Sequence, residues 1–185
     1  GPWCAHVSFI KPHWPYIVPA PYHNMFNESH VPSPVRDECE RDDPQQVYGA
    51  YMENKIANAF QRDDVRHKVI PAYMGLIKQC DDQLGVLLDH LEETGQMKDT
   101  MIVLTSDHGD YLCDHWLGEK DLFHDQSVKV PMIIFDPRSS ADATRGTTID
   151  ALVEAIDLVP TFVEAAGGKV AKNILESRSL VPLLN

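Results

Sequence analysis

Thr100-Met-Ile-Val-Leu-Thr105 runs straight into Ser106-Asp107-His108-Gly109, and this stretch decides the fold. A short apolar run rich in β-branched residues suits a strand covered on both faces, as strands in parallel sheets are. Pro131-Met-Ile-Ile-Phe135, closed by Asp136-Pro137, reads as a second strand of the same kind. Upstream, Val69, Tyr73, Leu76, Cys80, Leu84, Leu87 and Leu91 recur every three or four residues, which is one apolar stripe on a long helix. Asp63 or Asp64 suits its start and Gly95 its stop, while Pro71 either kinks it or marks its true start. Gln45 to Phe60 reads as a weakly amphipathic helix. Downstream, Asp157 suits the cap of a helix from Leu158 to Ala166, with Pro160 in the first turn and Gly167-Gly168 at the end. Helices alternating with buried strands predict an α/β fold with a largely parallel sheet.

The amino-terminal part has a different texture. Trp3 to Ile10 is apolar and β-prone and reads as a strand interior. Pro12, Pro15, Pro19, Pro21, Pro32, Pro34 and Pro44 then supply seven of the 13 prolines, which predicts a long ordered loop over residues 12–44. The chain opens Gly1-Pro2-Trp3, without Met or a signal peptide, and so reads as a segment of a longer protein. Its lack of a targeting sequence leaves the compartment open, cytoplasmic or exported.

Composition narrows the function classes. With 43% hydrophobic residues over a length of 185, the chain can bury a core, which excludes a disordered tail. No apolar run approaches the roughly 18 residues of a membrane helix. Asp and Glu number 28 against 16 Lys and Arg, a net charge of −12, which argues against a nucleic-acid backbone as partner. A small anionic substrate is compatible with that field, because a metal and a few cations override it locally. The four cysteines, Cys4, Cys39, Cys80 and Cys113, are scattered and form no C-x-x-C pair, so they read as unpaired thiols.

In open α/β sheets ligands bind just past the carboxyl ends of strands, where Asp107-His108 stands. Two readings of the pair are open at this point. The carboxylate and imidazole can converge on a divalent cation, or Asp107 caps a turn and His108 is a solvated loop residue. Asp114-His115 repeats the pair and reads more readily as loop-shaping than as a second metal site. His124 reads as a packing or surface residue. Trp14 and Tyr16 are either a pocket wall beside His13 or ordinary loop packing. Asp81-Asp82 points two ways on a helix, so it is no shared carboxylate site, and Asp82 reads as solvated.

A wider set of motifs favours the metal reading. Lys11-Pro12-His13-Trp14-Pro15-Tyr16 follows the first apolar run, and Tyr73-Met-Gly75 and Asp81-Asp82-Gln-Leu84-Gly85 lie on the long helix. Thr105-Ser106-Asp107-His108-Gly109, Leu117-Gly118-Glu119-Lys120 and Ser127-Val-Lys-Val-Pro131 follow in order. Ile156-Asp157-Leu158-Val159-Pro160-Thr161 and Ser179-Leu180-Val181-Pro182-Leu183-Leu184 close the series. This ordered set resembles the sulfatase family of the alkaline phosphatase superfamily along nearly the whole chain.

The resemblance implies an alkaline phosphatase-like three-layer α/β/α sandwich, with residues 1–185 the carboxyl-terminal part of the catalytic domain. Within it, residues 12–44 form the Pro-rich loop region and residues 100–137 the metal-site strand and following loop. The implied activity is hydrolysis of a small anionic sulfate ester. The alternatives are a phosphonate monoester hydrolase or phosphodiesterase, a serine-using two-metal phosphomutase type, and a non-catalytic domain that keeps the fold. Asp107 and His108 match the metal pair, Lys120 the lysine on the ester oxygens, and His13 the histidine beside the leaving group, with Trp14 as its wall. The Asp-His-Gly form is similar to the phosphonate monoester hydrolase, phosphodiesterase and choline-sulfatase branches. His108 favours Mn²⁺, Zn²⁺ or Fe²⁺ over Ca²⁺ as the single divalent ion, with Ca²⁺ or Mg²⁺ the alternatives. The family's nucleophile motif, C-x-P-x-R or S-x-P-x-R with the Cys matured to formylglycine, is missing. None of the four cysteines has a proline two residues on, and Ser33-Pro34-Val35-Arg36 is out of register and reads as a turn. The segment alone is therefore expected to be inactive, in a parent that is monomeric or a homo-oligomer.

Overall fold

The computed structural model describes residues 1–171 and 176–185. It divides into two compact units: Gly1–His90 with His108–Val130, and Leu91–Asp107 with Pro131–Asn185.

The first unit is helical. α1 spans Cys39–Asp42, α2 Gln46–Glu53, α3 Lys55–Phe60, α4 Asp63–Glu93 and α5 Asp125–Val128, the last three residues of α4 belonging to the second unit. The single helix expected over Gln45 to Phe60 is two. Asn54 ends α2 in an extended conformation, and its side-chain oxygen accepts the Ile56 and Ala57 amides at 2.9 Å to start α3. A residue that offers the backbone a side-chain acceptor favours a cap over a helix interior. α4 starts with Asp63 and Asp64 in its first turn, where carboxylates suit the helix dipole, and continues through Pro71. Its stripe is fully buried at Leu76 and half-open toward Leu87. It stops as expected at Gly95, whose φ of 68° and amide bond to the Glu92 carbonyl, with Gln96 N on Leu91 O, form a Schellman turn. Asp82 is less isolated than a solvated residue: it accepts from the Tyr22 hydroxyl at 2.9 Å and pairs with Lys78.

The core of this unit gathers Met52, Ala57, Tyr111, Trp116, Leu117 and Leu122, so the 108–124 segment wraps α2 and α3. Trp3 to Ile10 forms no strand, and Ile10 is 81% exposed. A strand is stable only when another strand takes its amides and carbonyls, and none pairs with it among the described residues.

In the second unit β1 spans Ile102–Thr105 and β2 Met132–Phe135. The two expected strands are present, but they pair antiparallel, Ile102 opposite Phe135 and Thr105 opposite Met132. The parallel arrangement expected for them is thus corrected. A parallel pair needs a crossover, usually a helix, that carries the chain back to the other end. Between β1 and β2 the helical pieces are only Asp114–Trp116 and Asp125–Val128, and the chain re-enters the pair at the end it left. Neither strand is covered on both faces: Leu104 and its partner Ile133 are exposed.

α6 covers Leu158–Ala165 and α7 Val181–Leu184. Asp157 does not cap α6 with its side chain. Its carboxylate instead accepts the Glu154 and Arg178 amides at 3.0 Å each, while Thr161 Oγ1 bridges Asp157 O and Leu180 N. The buried Asp136 ends β2 in a fork with Arg138, whose guanidinium holds its carboxyl below the usual range. No helix of the described residues is long and apolar enough to cross a membrane.

Candidate active site

His13, Trp14, His108 and Lys120 belong to the first unit, and Asp107 is the last residue of the strand segment of the second. His13 and Lys120 are 107 positions apart in sequence, yet Lys120 Nζ lies 3.1 Å from His13 Nε2. His13 Nδ1 is 2.8 Å from the Trp14 carbonyl oxygen. A carbonyl only accepts, so the ring proton is assigned to Nδ1, and Nε2 takes a hydrogen bond from the Lys120 ammonium. The His108 ring stands edge-on to His13, centroids 6.0 Å apart, and its Nδ1 donates to the Gly109 carbonyl at 2.7 Å. In the neutral ring this puts the basic lone pair on Nε2. Trp14 is exposed and stacks on His13 at 6.1 Å.

The His13 loop is tied from within. Lys11 Nζ donates to the His13 carbonyl at 3.1 Å and to the Pro15 carbonyl, and His13 N donates to Ile10 O. Tyr16 is not a wall of an open pocket. Its hydroxyl donates to Asp110 Oδ2 at 2.8 Å, and its ring meets Phe60 and Tyr73 edge-on. Burial, then the Asp110 charge, pushes the Tyr16 phenol upward, and burial pushes Tyr73 up to about 12. Burial also raises the Asp110 carboxyl, against the hydrogen bonds from Tyr16 and the Leu112 amide.

Lys120 is presented by a strained loop. Leu112, Cys113, His115, Trp116, Glu119 and Asp121 all have φ between 46° and 93°. Left-handed backbone at non-glycine positions costs about 1–2 kcal/mol each, so the surroundings must over-determine it. They do so through buried Tyr111, Cys113, Trp116 and Leu117, and through Tyr111 N on Glu119 O at 2.7 Å and Cys113 N on Leu117 O at 3.0 Å. Lys120 itself sits between two of the left-handed residues. On the other flank, Gly109 N bonds Ser127 O at 2.7 Å, and a Cβ on Gly109 would lie 1.9 Å from Gln126 O. Only glycine permits that approach beside His108.

Asp114 shapes the loop: its two oxygens accept Val35 N at 2.9 Å and Gln126 Nε2 at 3.1 Å. His115 bonds Glu40 and stacks on His124, ring centroids 3.9 Å apart, beside a cavity of about 210 Å³. Burial and then His115 lower the His124 pKa. Arg36 of the Ser33–Arg36 stretch is structural, stacked 4.2 Å over Trp116 and paired with Asp63 at 2.6 Å.

Asp107 accepts from Ser106 Oγ at 3.4 Å. One carboxylate and one imidazole suit Mn²⁺, Zn²⁺ or Fe²⁺ in kind. A divalent ion takes four or more ligands, and no group of three His, Cys, Asp or Glu suited to a metal occurs among the described residues. Asp107 and His108 therefore fit a metal as part of a ligand set.

Of the expected site residues His13, Trp14, Asp107, His108 and Lys120, the fold brings His13, Trp14, His108 and Lys120 to one locality. Lys11 and Asp110 were not expected there. Their only available signal was adjacency, two residues from His13 and from His108.

The His13 imidazole and the Lys120 ammonium in contact, with the His108 ring edge-on to His13, form a local cluster of proton-bearing groups. Residues 1–168 match the sequence profile of the Sulfatase family. The chain is 32% identical to the multifunctional alkaline phosphatase superfamily protein PehA of Trinickia caryophylli over 198 residues, covering 99% of this chain and 37% of PehA. It is 27% identical to an arylsulfatase of Clostridium perfringens, covering 99% of this chain and 37% of that one. The phosphonate monoester hydrolase SpPMH of Silicibacter pomeroyi superposes with a TM-score of 0.88 at 32% identity, covering 98% of this chain and 37% of that structure. This chain belongs to the Sulfatase family, in the alkaline phosphatase superfamily, and carries part of an alkaline phosphatase-like fold. It spans 37% of the length of these three relatives.

Proposed function

We propose that the chain is the carboxyl-terminal portion of a metal-dependent hydrolase of small anionic esters. The observation that carries this reading is the 3.1 Å contact between His13 Nε2 and Lys120 Nζ, with His108 beside it. Two cationic or proton-bearing groups held together in a chain of net charge −12 form a local anion site.

Asp107 and His108, adjacent in the chain, would hold a divalent ion together with ligands from the rest of the protein. When bound, the ion supplies Lewis-acid stabilisation of charge on the ester oxygens. Lys120 swings its ammonium from His13 to the non-bridging oxygens and offsets the charge that grows there. His13 Nε2 is then released to exchange a proton with the leaving oxygen, while Trp14 O keeps Nδ1–H in place. Trp14 covers the organic group. The nucleophile, a formylglycine hydrate or a serine, lies in the remainder of the parent, which also completes a three-layer sandwich and supplies its parallel strands. The 185-residue segment alone is inactive on this reading.

Sulfate esters and phosphonate monoesters are the two substrate classes in view. The ordered sequence motifs and the arylsulfatase likeness favour sulfate. The Asp-His-Gly form and the higher identity to SpPMH favour phosphonate. Assaying the full-length protein on a matched aryl sulfate and aryl phosphonate separates them: a preference of a hundredfold or more for one assigns the class. Hydrolysis of neither, with metal supplied, sinks the hydrolase reading and leaves a non-catalytic domain of the same fold.

A further inference from the structure

The chain segments that carry His13 and His108 meet in a side-chain hydrogen bond between residues 94 positions apart, Tyr16 Oη donating to Asp110 Oδ2 at 2.8 Å. We propose that this bond positions the catalytic imidazole: Tyr16 and Asp110 fix the His13 loop against Lys120 and His108. The proposal rests on the functional reading above.

The geometry on both sides of the bond supports it. Asp110 lies two residues past His108, and its carboxylate is committed at both oxygens, Oδ2 to Tyr16 and Oδ1 to the Leu112 amide at 3.0 Å. It cannot rotate without breaking one of the two. Tyr16 lies three residues past His13, and its ring is edge-on to Phe60 of α3 at 6.2 Å and to Tyr73 of α4 at 6.1 Å. The phenol is therefore held by two helices as well as by the carboxylate. The stretch between Tyr16 and His13 is stiff, because Lys11 Nζ ties the carbonyls of His13 and Pro15 and Ile17 N bonds Pro15 O. A shift of Tyr16 is passed along that stretch to the His13 ring.

Packing alone does not call for the hydroxyl, since phenylalanine would make the same ring contacts. The oxygen is spent on the one carboxylate that follows His108. A displacement of about 1 Å at reacting groups costs on the order of 100-fold in rate, so a tie of this kind has a catalytic consequence without touching substrate.

The test uses the full-length protein with Tyr16→Phe, Asp110→Asn and the double variant. Tyr16→Phe is expected to lower kcat about 10- to 100-fold with KM changed less than about threefold and the melting temperature nearly unchanged. The double variant is expected to be no worse than the poorer single one, as for two ends of one bond. A second readout is independent of turnover: in ¹⁵N-histidine spectra, Tyr16→Phe is expected to shift the His13 Nε2 signal. A kcat within twofold of wild type with an unmoved His13 signal overturns the proposal. So does a loss of kcat that only follows the loss of folded protein. If the wild-type protein hydrolyses no ester, the functional reading fails, and the histidine spectrum alone then decides whether Tyr16 holds His13.

Discussion

At the scale of single residues, Gly109 and the left-handed positions around Lys120 shape the loop on which His108 and Lys120 stand. A methyl group at Gly109 would stand 1.9 Å from the Gln126 carbonyl, so Gly109→Ala must push the 126–127 backbone away. The expected cost is about 1–3 kcal/mol in urea unfolding, with a shift in the amide signals of residues 108 and 127. Asp121 has a φ of 93°, which glycine adopts freely, so Asp121→Gly is expected to raise the urea midpoint, by at most about 1 kcal/mol in stability. That His13, His108 and Lys120 would gather at one place was legible in the ordered motifs of the sequence. The left-handed run from Leu112 to Asp121 was not, since only His115 and Asp121 of those six are types enriched at positive φ, and tertiary packing imposes it on Leu112, Cys113, Trp116 and Glu119.

At the scale of elements, local signals and long-range pairing part company. Gly95 and Gly167 were readable as helix stops because a Schellman turn needs the αL residue that glycine supplies. Asn54 was readable as a polar residue but not as a break, because its capping role depends on where α2 ends. Asn54→Ala is expected to lower stability by about 1 kcal/mol and to weaken the start of α3, seen as faster amide exchange at Ile56 and Ala57. The strands β1 and β2 were found at their places, whereas their direction was missed. Direction is set by the path of the 26 residues from Ser106 to Pro131, and an apolar run has no polarity of its own. The Asp136–Arg138 fork closes β2 and holds the Asp136 pKa down. A carboxyl with a lowered folded-state pKa contributes stability above the ordinary Asp range, near pH 4, and loses it as the pH falls through the folded value. Unfolding followed from pH 6 to pH 2 is expected to show that loss in the wild type, and Asp136→Asn is expected to remove that portion of the pH dependence.

At the scale of the molecule, the charge of −12 and the 37% coverage of the relatives point to the same conclusion. On the proposed reading, a strongly acidic segment gains affinity for an anionic ester only through a few fixed cations, and the remaining ligands and the nucleophile would come from the rest of the parent. On the same reading, dialysis of the full-length protein against a chelator is expected to abolish hydrolysis, with Mn²⁺, Zn²⁺ or Fe²⁺ restoring it better than Ca²⁺. Hydrolysis at an unchanged rate in metal-free protein would remove Asp107 and His108 from the mechanism. Leaving-group dependence separates the proposed roles of His13 and Lys120. The measurement compares kcat/KM of the full-length wild type, His13→Ala and Lys120→Ala on esters of 4-nitrophenol and of an unactivated alcohol. Lys120→Ala is predicted to slow both esters alike, and His13→Ala is predicted to slow the unactivated ester about 100- to 10,000-fold but the nitrophenyl ester far less. Equal losses on the two esters for His13→Ala, or no loss for either variant, would contradict the account.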